Sequence, residues 1–190
     1  LLCVLIIVLL VALMVTRAYW IKSQQILVAA IQLPEVNEEK AVDGISGALK
    51  FPTLSAKAAF RQEVFLSLHR YLEEQFPLVH SKLQREVVGG FSLLYRWPGS
   101  DPAAQPILLM SHMDVVTAKH SPWSGEVADG YIWGRGAIDV KCGVLSQLEA
   151  VEHLLGQEYV PKQDVYLAFG HDEEVGGDDG NLQIALKMRE

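Results

Sequence analysis

Short apolar runs alternate with helical patterns along this chain, and the alternation limits the folds that it can adopt. The apolar and β-rich runs lie at 83–88, 91–97, 107–110 and 165–169, and the helical patterns lie at 55–76, 141–155 and 181–188. Strands that alternate with helices indicate an α/β domain with a mostly parallel central sheet flanked by helices. The run at 107–110 is wholly apolar, which predicts a central strand buried on both faces.

Turn-forming residues mark where these elements end. The Gly-Gly pair at 89–90 separates two β-rich runs, which predicts a hairpin. The Asp-Gly pair at 129–130 predicts a second tight turn before a short strand at 131–133. Pro77 is expected to end the first helical pattern, since proline is excluded from helix interiors.

The first fifteen residues form an apolar segment without charge, proline or glycine. Arg17, Tyr19, Trp20 and Lys22 follow it, and side chains of these types are typical of the headgroup region of a bilayer. Fifteen residues are fewer than the roughly 20 that span a membrane. Since the chain opens on Leu rather than Met, we expect the true start to lie upstream.

A single-pass membrane anchor at 1–21 is the favoured interpretation, followed by a connector at 22–50 and a folded domain at 51–190. A cleaved signal peptide is the second interpretation, although no clear small-x-small cleavage site follows the segment. A buried core helix is the third, and the lack of an amphipathic pattern argues against it. Arg17 and Lys22 oppose an exterior domain under the positive-inside rule.

The charge balance argues against a nucleic-acid partner. The net charge is −7 and the isoelectric point is about 5.4, whereas binding to phosphates needs basic surfaces. Cys3 and Cys142 are two isolated cysteines in different contexts, so they do not indicate a disulfide framework.

The first polar cluster, at 111–114, follows the apolar run at 107–110. His112 and Asp114 are two residues apart, so an extended chain projects both side chains to the same side. A neutral imidazole is a good zinc ligand, and a carboxylate on its other nitrogen would fix the tautomer. Taken alone, such a pair is more often a surface histidine beside an acid.

The second cluster, at 134–141, combines two glycines with an acid. Gly134 and Gly136 allow a sharp turn or a close approach of the backbone to another group. Asp139 lies at the entrance of the helix that begins near Lys141. Taken alone, Asp139 is best interpreted as the N-cap of that helix.

The third cluster, at 170–177, follows the strand at 165–169 and contains the consecutive acids Asp172, Glu173 and Glu174. Neighbouring carboxylates repel one another unless a cation compensates their charge. One acid can then bind a metal while its neighbour acts as a base toward water; a solvated acidic loop is the alternative. All three clusters follow strands or turns, where the sites of open α/β sheets gather.

Together the clusters resemble those of a zinc metallopeptidase family that includes aminoacylase, carboxypeptidase G, carboxypeptidase S, acetylornithine deacetylase and succinyl-diaminopimelate desuccinylase. The matching stretches are LLMSHMDVV, SPWSGEVADGYIWGRGAIDVK and VYLAFGHDEEVGG, and the resemblance runs from about Phe51 to Glu190. The GHDEE stretch is most similar to the carboxypeptidase S and N-fatty-acyl-amino-acid hydrolase branch. Many members of that branch begin with an apolar anchor or signal.

The resemblance implies a role for each polar residue. His112 would bind one Zn²⁺ ion, Glu174 would bind a second, and Asp139 would bridge both; other divalent ions such as Co²⁺ would also fit. Glu173 would be the general base, and Asp114 would orient His112. The peptide bond that follows Asp139 would be cis.

The resemblance also implies parts that are not present in these residues. Relatives supply a further acidic ligand and a histidine later in the sequence, and they insert a lid or dimerisation domain, which would make a homodimer. We therefore expect an N-terminal fragment, truncated before that domain. His112, Asp139 and Glu174 are too few to fill two metal sites, so the 190-residue chain alone is expected to be inactive.

The implied reaction is hydrolysis of an amide bond by a zinc-bound hydroxide, with Glu173 as the base. The substrate would be a peptide with a free C-terminus or an N-acyl amino acid, and the loop at 115–138, shorter than in relatives, leaves the choice open. The domain would face the periplasm or the cell exterior. The alternative is a membrane-anchored binding protein without catalysis, which would have no need of a base beside Glu174.

Overall fold

The structure is a computed structural model, and the residues that it describes are 1–30, 35–120 and 122–189. Part of the predicted connector, at 31–34, lies outside the described residues. So do Ser121, in the loop between the first two clusters, and Glu190, at the end of the predicted domain.

The first of two compact units, residues 1–35, contains helix α1 (Leu2–Trp20), all of which is exposed. The helix is long and apolar enough to cross a membrane, with a mean hydropathy of 2.6 in its most apolar window. A signal sequence has the same properties. Helix α1 covers nearly all of the predicted anchor at 1–21.

The second unit, residues 36–190, contains the other described helices and the described strands. The helices are α2 (Glu38–Leu49), α3 (Gln62–Gln75), α4 (Pro77–Lys82), α5 (Lys141–Gly156) and α6 (Asn181–Lys187), with a 3₁₀ turn at Glu173–Val175. The strands are β1 (Gln84–Val88), β2 (Ser92–Trp97), β3 (Ile107–His112), β4 (Glu126–Ala128), β5 (Tyr131–Trp133) and β6 (Val165–Gly170).

Helix α3 is shorter than the helical pattern at 55–76. It begins at Gln62, because Ala59 donates its N–H to Ala56 at 2.7 Å in a separate turn. The helix ends before Pro77, as predicted. Proline then occupies the first position of α4, where its missing N–H is not needed.

Four strands form a mixed sheet in the order β1-β2-β6-β3. Strands β1 and β2 form the predicted hairpin, β2 pairs antiparallel with β6, and only β6 and β3 are parallel. The sheet is therefore not mostly parallel as expected, because the hairpin contributes the neighbour of β6. Strands β4 and β5 form a separate two-stranded sheet around the predicted turn at 129–130.

Strand β3 lies at the edge of the sheet rather than at its centre. It pairs with β6 on one side, and among the described residues no strand pairs with its other side. Ile107, Leu108, Leu109 and Met110 are between 39% and 64% exposed. The prediction of a strand buried on both faces is therefore wrong in this structure: the run is apolar but only partly covered.

The core is built mainly from the sheet and from helices α2, α3 and α5. The apolar stripe of α5, within 144–155, is buried as its spacing predicts. Ala48 and Leu49, at the end of α2, have no exposed surface. The predicted connector at 22–50 thus includes a helix that belongs to the core, and the compact unit begins at Val36.

His69 on α3 makes the stability of this core depend on pH. The side chain is 4% exposed, and its Nε2 lies 3.0 Å from the carbonyl oxygen of Phe91. Burial, together with the charge of Arg85, lowers the pKa of His69 from 6.5 to about 4. The neutral imidazole therefore stabilises the fold above about pH 6.5, and this contribution is lost as the pH falls toward 4.

We expect His69→Gln to flatten the pH dependence of the free energy of unfolding between about pH 6.5 and 4, by at most about 3 kcal/mol. Urea denaturation of both proteins across this range measures the difference. The exposed His120 serves as a control, and His120→Gln should leave the slope unchanged. Equal slopes for the parent and His69→Gln would contradict the assignment.

Candidate metal centre

The parallel pairing of β3 and β6 brings two of the polar clusters together. His112, the last residue of β3, is in register with Gly170, the last residue of β6. Beyond them, Met113 donates its N–H to the carbonyl of Gly170 at 2.8 Å. The carboxyl ends of parallel strands meet at one edge of a sheet, so the loops at 111–114 and 170–177 lie side by side.

The second cluster, at 134–141, reaches this edge through the loop between β5 and α5. Ser111 donates its hydroxyl to the carbonyl of Val140 at 3.1 Å, which ties the loop to the end of β3. Asp139 does not cap α5: the N-cap is Val140, without a side-chain hydrogen bond. Asp139 Oδ1 instead lies 3.2 Å from His112 Nε2. The peptide bond between Asp139 and Val140 is cis, as the resemblance implies.

His112, Asp139 and Glu174 together form a candidate metal site. Each offers one ligand atom, and the three atoms lie within 4.8 Å of one another. A histidine nitrogen with two carboxylates is a donor set of the kind that holds zinc in catalytic sites. Burial, with the neighbouring Asp139, raises the pKa of Glu174. A cation would relieve this repulsion, so the residues fit a divalent metal.

Asp114 connects the two strand ends beneath the candidate site. Its side chain has no exposed surface, and Oδ1 lies 3.3 Å from His112 Nδ1. The same carboxylate accepts the N–H groups of Glu173 at 3.1 Å and Glu174 at 3.0 Å. Burial alone would raise the pKa of Asp114, but these hydrogen bonds outweigh it and the pKa is lowered. Asp114 therefore stays ionised while buried.

This contact decides which nitrogen of His112 is available. Burial opposes the charged imidazole, but the hydrogen bond with Asp114 outweighs it and raises the pKa of His112 to about 9. When Nδ1 donates to Asp114, Nε2 is left to face Asp139 and Glu173. A metal ligand held in this way presents Nε2 with a fixed ring orientation.

The three consecutive acids face different surroundings. Glu174 belongs to the ligand group, and Glu173 Oε2 lies 3.6 Å from His112 Nε2 with 53% of its side chain exposed. Asp172 points elsewhere: it is buried and accepts the N–H groups of Asp179, Gly180 and Asn181 at 2.7–3.2 Å. The idea that all three carboxylates need a shared cation is therefore wrong for Asp172, because three backbone N–H groups at and just before the start of α6 hydrogen-bond its carboxylate.

Two further residues support the site, and sequence reasoning gave neither a role. The hydroxyl of Thr53 donates to the carbonyl of Met113 at 2.6 Å. The main-chain carbonyl of Thr53 accepts the N–H of Val115 at 3.0 Å. Lys141 is 1% exposed, and burial lowers its pKa to about 7. Thr53 has no local signal in the sequence, whereas Lys141 could have been noticed because it ends the glycine-containing cluster.

The sequence of this region matches a known family. Residues 108–188 match the profile of peptidase family M20/M25/M40, so they form part of a peptidase M20 domain. "Probable carboxypeptidase S-like 2" of Dictyostelium discoideum is 45% identical over 126 residues, which cover 63% of this chain and 24% of that protein. "N-fatty-acyl-amino acid synthase/hydrolase PM20D1" of Xenopus tropicalis is 33% identical over 198 residues, covering 96% of this chain and 38% of that protein.

Solved structures have the same fold. The dipeptidase Dug1p of Saccharomyces cerevisiae superposes with a TM-score of 0.64 at 20% identity, covering 80% of this chain and 35% of that one. Human carnosine dipeptidase 1 gives 0.62 at 21% identity, covering 75% and 34%. The fold is therefore that of M20 peptidases, and the chain spans less than two fifths of the length of each of these relatives.

Proposed function

We propose that this protein is a metal-dependent amidohydrolase that releases an amino acid from a peptide or an N-acyl amino acid. The observation that carries the proposal is the convergence of His112, Asp139 and Glu174 at one sheet edge, with Glu173 beside them. Two relatives, named as a carboxypeptidase and an N-fatty-acyl-amino acid synthase/hydrolase, support the substrate class.

Two Zn²⁺ ions are the proposed cofactor, and Co²⁺ would suit the same donors. His112 would hold one ion, Glu174 would hold the other, and Asp139 would contribute to both. Bound zinc supplies a Lewis acid that polarises a carbonyl group and makes a coordinated water more acidic. Zinc prefers a neutral imidazole and carboxylates as ligands, so its binding would displace the proton that the raised pKa keeps on His112.

Glu173 is the proposed general base. Its carboxylate lies near His112 Nε2 and is more than half exposed, so both water and substrate can reach it. A carboxylate at this point can take the proton from the attacking water and deliver it to the leaving amine. Asp114 serves the reaction indirectly, because it orients His112 and holds the backbone of Glu173.

The proposal is tested on the protein encoded by the complete reading frame that contains these residues. Hydrolysis of dipeptides and N-acyl amino acids is measured before and after treatment with a chelator, and again after zinc is added back. Zinc-restorable release of an amino acid is the expected result, and the preferred substrate identifies the branch. An intact protein with bound zinc but no turnover on either class would favour a binding protein instead.

We also propose that helix α1 anchors the protein in a membrane with the folded unit outside the cytoplasm. Its length and mean hydropathy of 2.6 support the anchor, as does the aromatic pair Tyr19 and Trp20 at its end. The side on which the folded unit lies rests on the family resemblance alone, and Arg17 and Lys22 count against it.

Deletion of residues 1–21 is expected to move the protein from an alkali-resistant membrane pellet to the supernatant. Fractionation followed by immunoblotting measures this, with the undeleted protein as the control. N-terminal sequencing of the undeleted protein gives the opposing result: a mature chain that begins after residue 20 would mean a cleaved signal peptide.

A further inference from the structure

A fully buried lysine lies beneath the loop that carries Asp139. Lys141 is 1% exposed, although lysine is rarely buried without a partner. Its Nζ donates to two main-chain oxygens, that of Phe51 at 2.5 Å and that of Ala48 at 3.1 Å. In either protonation state the amine has enough N–H groups for both bonds.

The two oxygens belong to the C-terminal end of α2. Ala48 lies in the last turn of the helix, and Phe51 is two residues beyond its end. The last carbonyl groups of a helix have no partners within the helix, and the negative end of its dipole favours an amine. Each oxygen already accepts one backbone N–H, that of Phe51 to Ala48 at 3.4 Å and that of Thr53 to Phe51 at 2.9 Å. Lys141 adds a charge-bearing donor to both from about ninety residues away in the sequence.

The backbone N–H and the aliphatic stem of Lys141 both contact Gly136, at the start of the turn that carries Asp139. The backbone N–H of Lys141 donates to the carbonyl of Gly136 at 2.9 Å. Its aliphatic stem crosses Gly136 closely enough that a β-carbon there would lie 3.2 Å from Lys141 Cδ. Gly136 also has a φ of +91°, which glycine adopts readily. Both the main chain and the side chain of Lys141 therefore hold the turn at 136–141.

Asp139 lies inside this turn and has little support of its own. Its side chain is 70% exposed, and its Oδ1 lies 3.2 Å from His112 Nε2. The position of the carboxylate therefore depends on how firmly the turn is fixed to the rest of the fold. Lys141 connects the turn to the buried end of α2.

We propose that Lys141 is a positioning residue, which fixes the turn at 136–141 on α2 and so places the Asp139 carboxylate in the metal ligand group. The inference rests on the proposed metal site. It predicts that the amine contributes to metal affinity although it contacts no ligand atom, as outer partners of ligands commonly do.

The test is Co²⁺ binding by the protein encoded by the complete reading frame, held in detergent and followed by visible absorption. Lys141→Met keeps the apolar stem and removes the amine. It is expected to weaken Co²⁺ binding at least tenfold and to change the absorption bands. Leu155→Ala is the matched control: it removes buried volume from the same helix, about 21 Å further along, and should bind Co²⁺ as the parent does.

Each outcome decides between explanations. Equal affinity and equal spectra for Lys141→Met and the parent would overturn the positioning role. Loss of circular dichroism in Lys141→Met, with Leu155→Ala folded, would also overturn it, because Lys141 would then be a residue of general stability. Failure of the parent to bind Co²⁺ at all would refute the proposed metal site itself.

Chemical rescue supplies a second variant. In the same protein with Cys3, Cys142 and any further cysteine replaced by serine, Lys141→Cys is alkylated in denaturant with 2-bromoethylamine, which rebuilds a lysine analogue, or with 1-bromopropane, which lacks the amine. After refolding, the aminoethyl product should bind Co²⁺ within threefold of the affinity of the cysteine-free protein that keeps Lys141. The propyl product should not recover this affinity. Equal affinity for both products would overturn the proposal.

Discussion

Glu173→Gln is expected to lower kcat for amide hydrolysis about 10²- to 10⁴-fold and to leave metal bound. Glutamine has the shape of glutamate but cannot accept a proton at neutral pH. Glu173 lies beside the ligand group rather than within it, since the three clustered ligand atoms belong to His112, Asp139 and Glu174. The loss should therefore fall on kcat more than on metal content.

Steady-state kinetics and metal analysis of the protein from the complete reading frame measure the two effects separately. Glu74→Gln, at an exposed position on α3, is the matched control and should change neither. Glu174→Gln should differ from both, because it removes a proposed ligand and with it metal. A Glu173→Gln protein with turnover within twofold of the parent would show that the base is another group.

Asp114→Asn is expected to weaken metal binding about 10- to 100-fold and to cost about 1–3 kcal/mol in the free energy of unfolding. The parent carboxylate is fully buried, and its two oxygens accept the N–H groups of Glu173 and Glu174 while one also faces His112 Nδ1. An amide has only one acceptor oxygen, so one of these two part-buried N–H groups loses its partner. Both the imidazole and the turn at 173–175 would then shift.

Isothermal titration with Zn²⁺ and urea denaturation without metal measure these two losses. Asp129→Asn is the matched control, because Asp129 is exposed and has a φ of 55°, which asparagine tolerates equally well. It should leave metal affinity unchanged and stability within about 0.5 kcal/mol. Unchanged zinc affinity in Asp114→Asn would mean that His112 needs no orienting partner.

The site could be located from the sequence because strand ends can be recognised locally. The runs before His112 and Gly170 are apolar, and both strands form where they were expected. Their parallel pairing then brings the following loops together without further assumptions. The five predicted site residues consequently lie around one sheet edge, whereas their individual roles rest on the family resemblance and remain predictions.

Neighbours along the sheet could not be predicted in this way. The apolar run at 107–110 indicates a strand, but it does not indicate how many strands pair with it. The expected central strand is the edge strand β3. The hairpin of β1 and β2 also made the sheet less parallel than expected, because hairpin strands are antiparallel by construction of the turn.

The contacts that hold the site from distant parts of the chain could not be predicted from the sequence either. Lys141 reaches main-chain carbonyls at the end of α2, and Thr53 reaches the main chain beside Asp114. Main-chain acceptors carry no residue signature, so no pattern of side chains announces these contacts. Asp172 was misjudged because its backbone donors lie at the start of α6, seven to nine residues later.

The unpaired edge of β3 affects how readily this polypeptide aggregates at high concentration. Among the described residues no strand pairs with this edge of β3, and its apolar side chains are partly exposed. An unpaired strand edge of this kind is a template onto which another extended chain can add. Crowded preparations of these 190 residues should therefore lose material to β-rich aggregates as concentration rises. During synthesis, the same strand would be a surface that chaperones recognise.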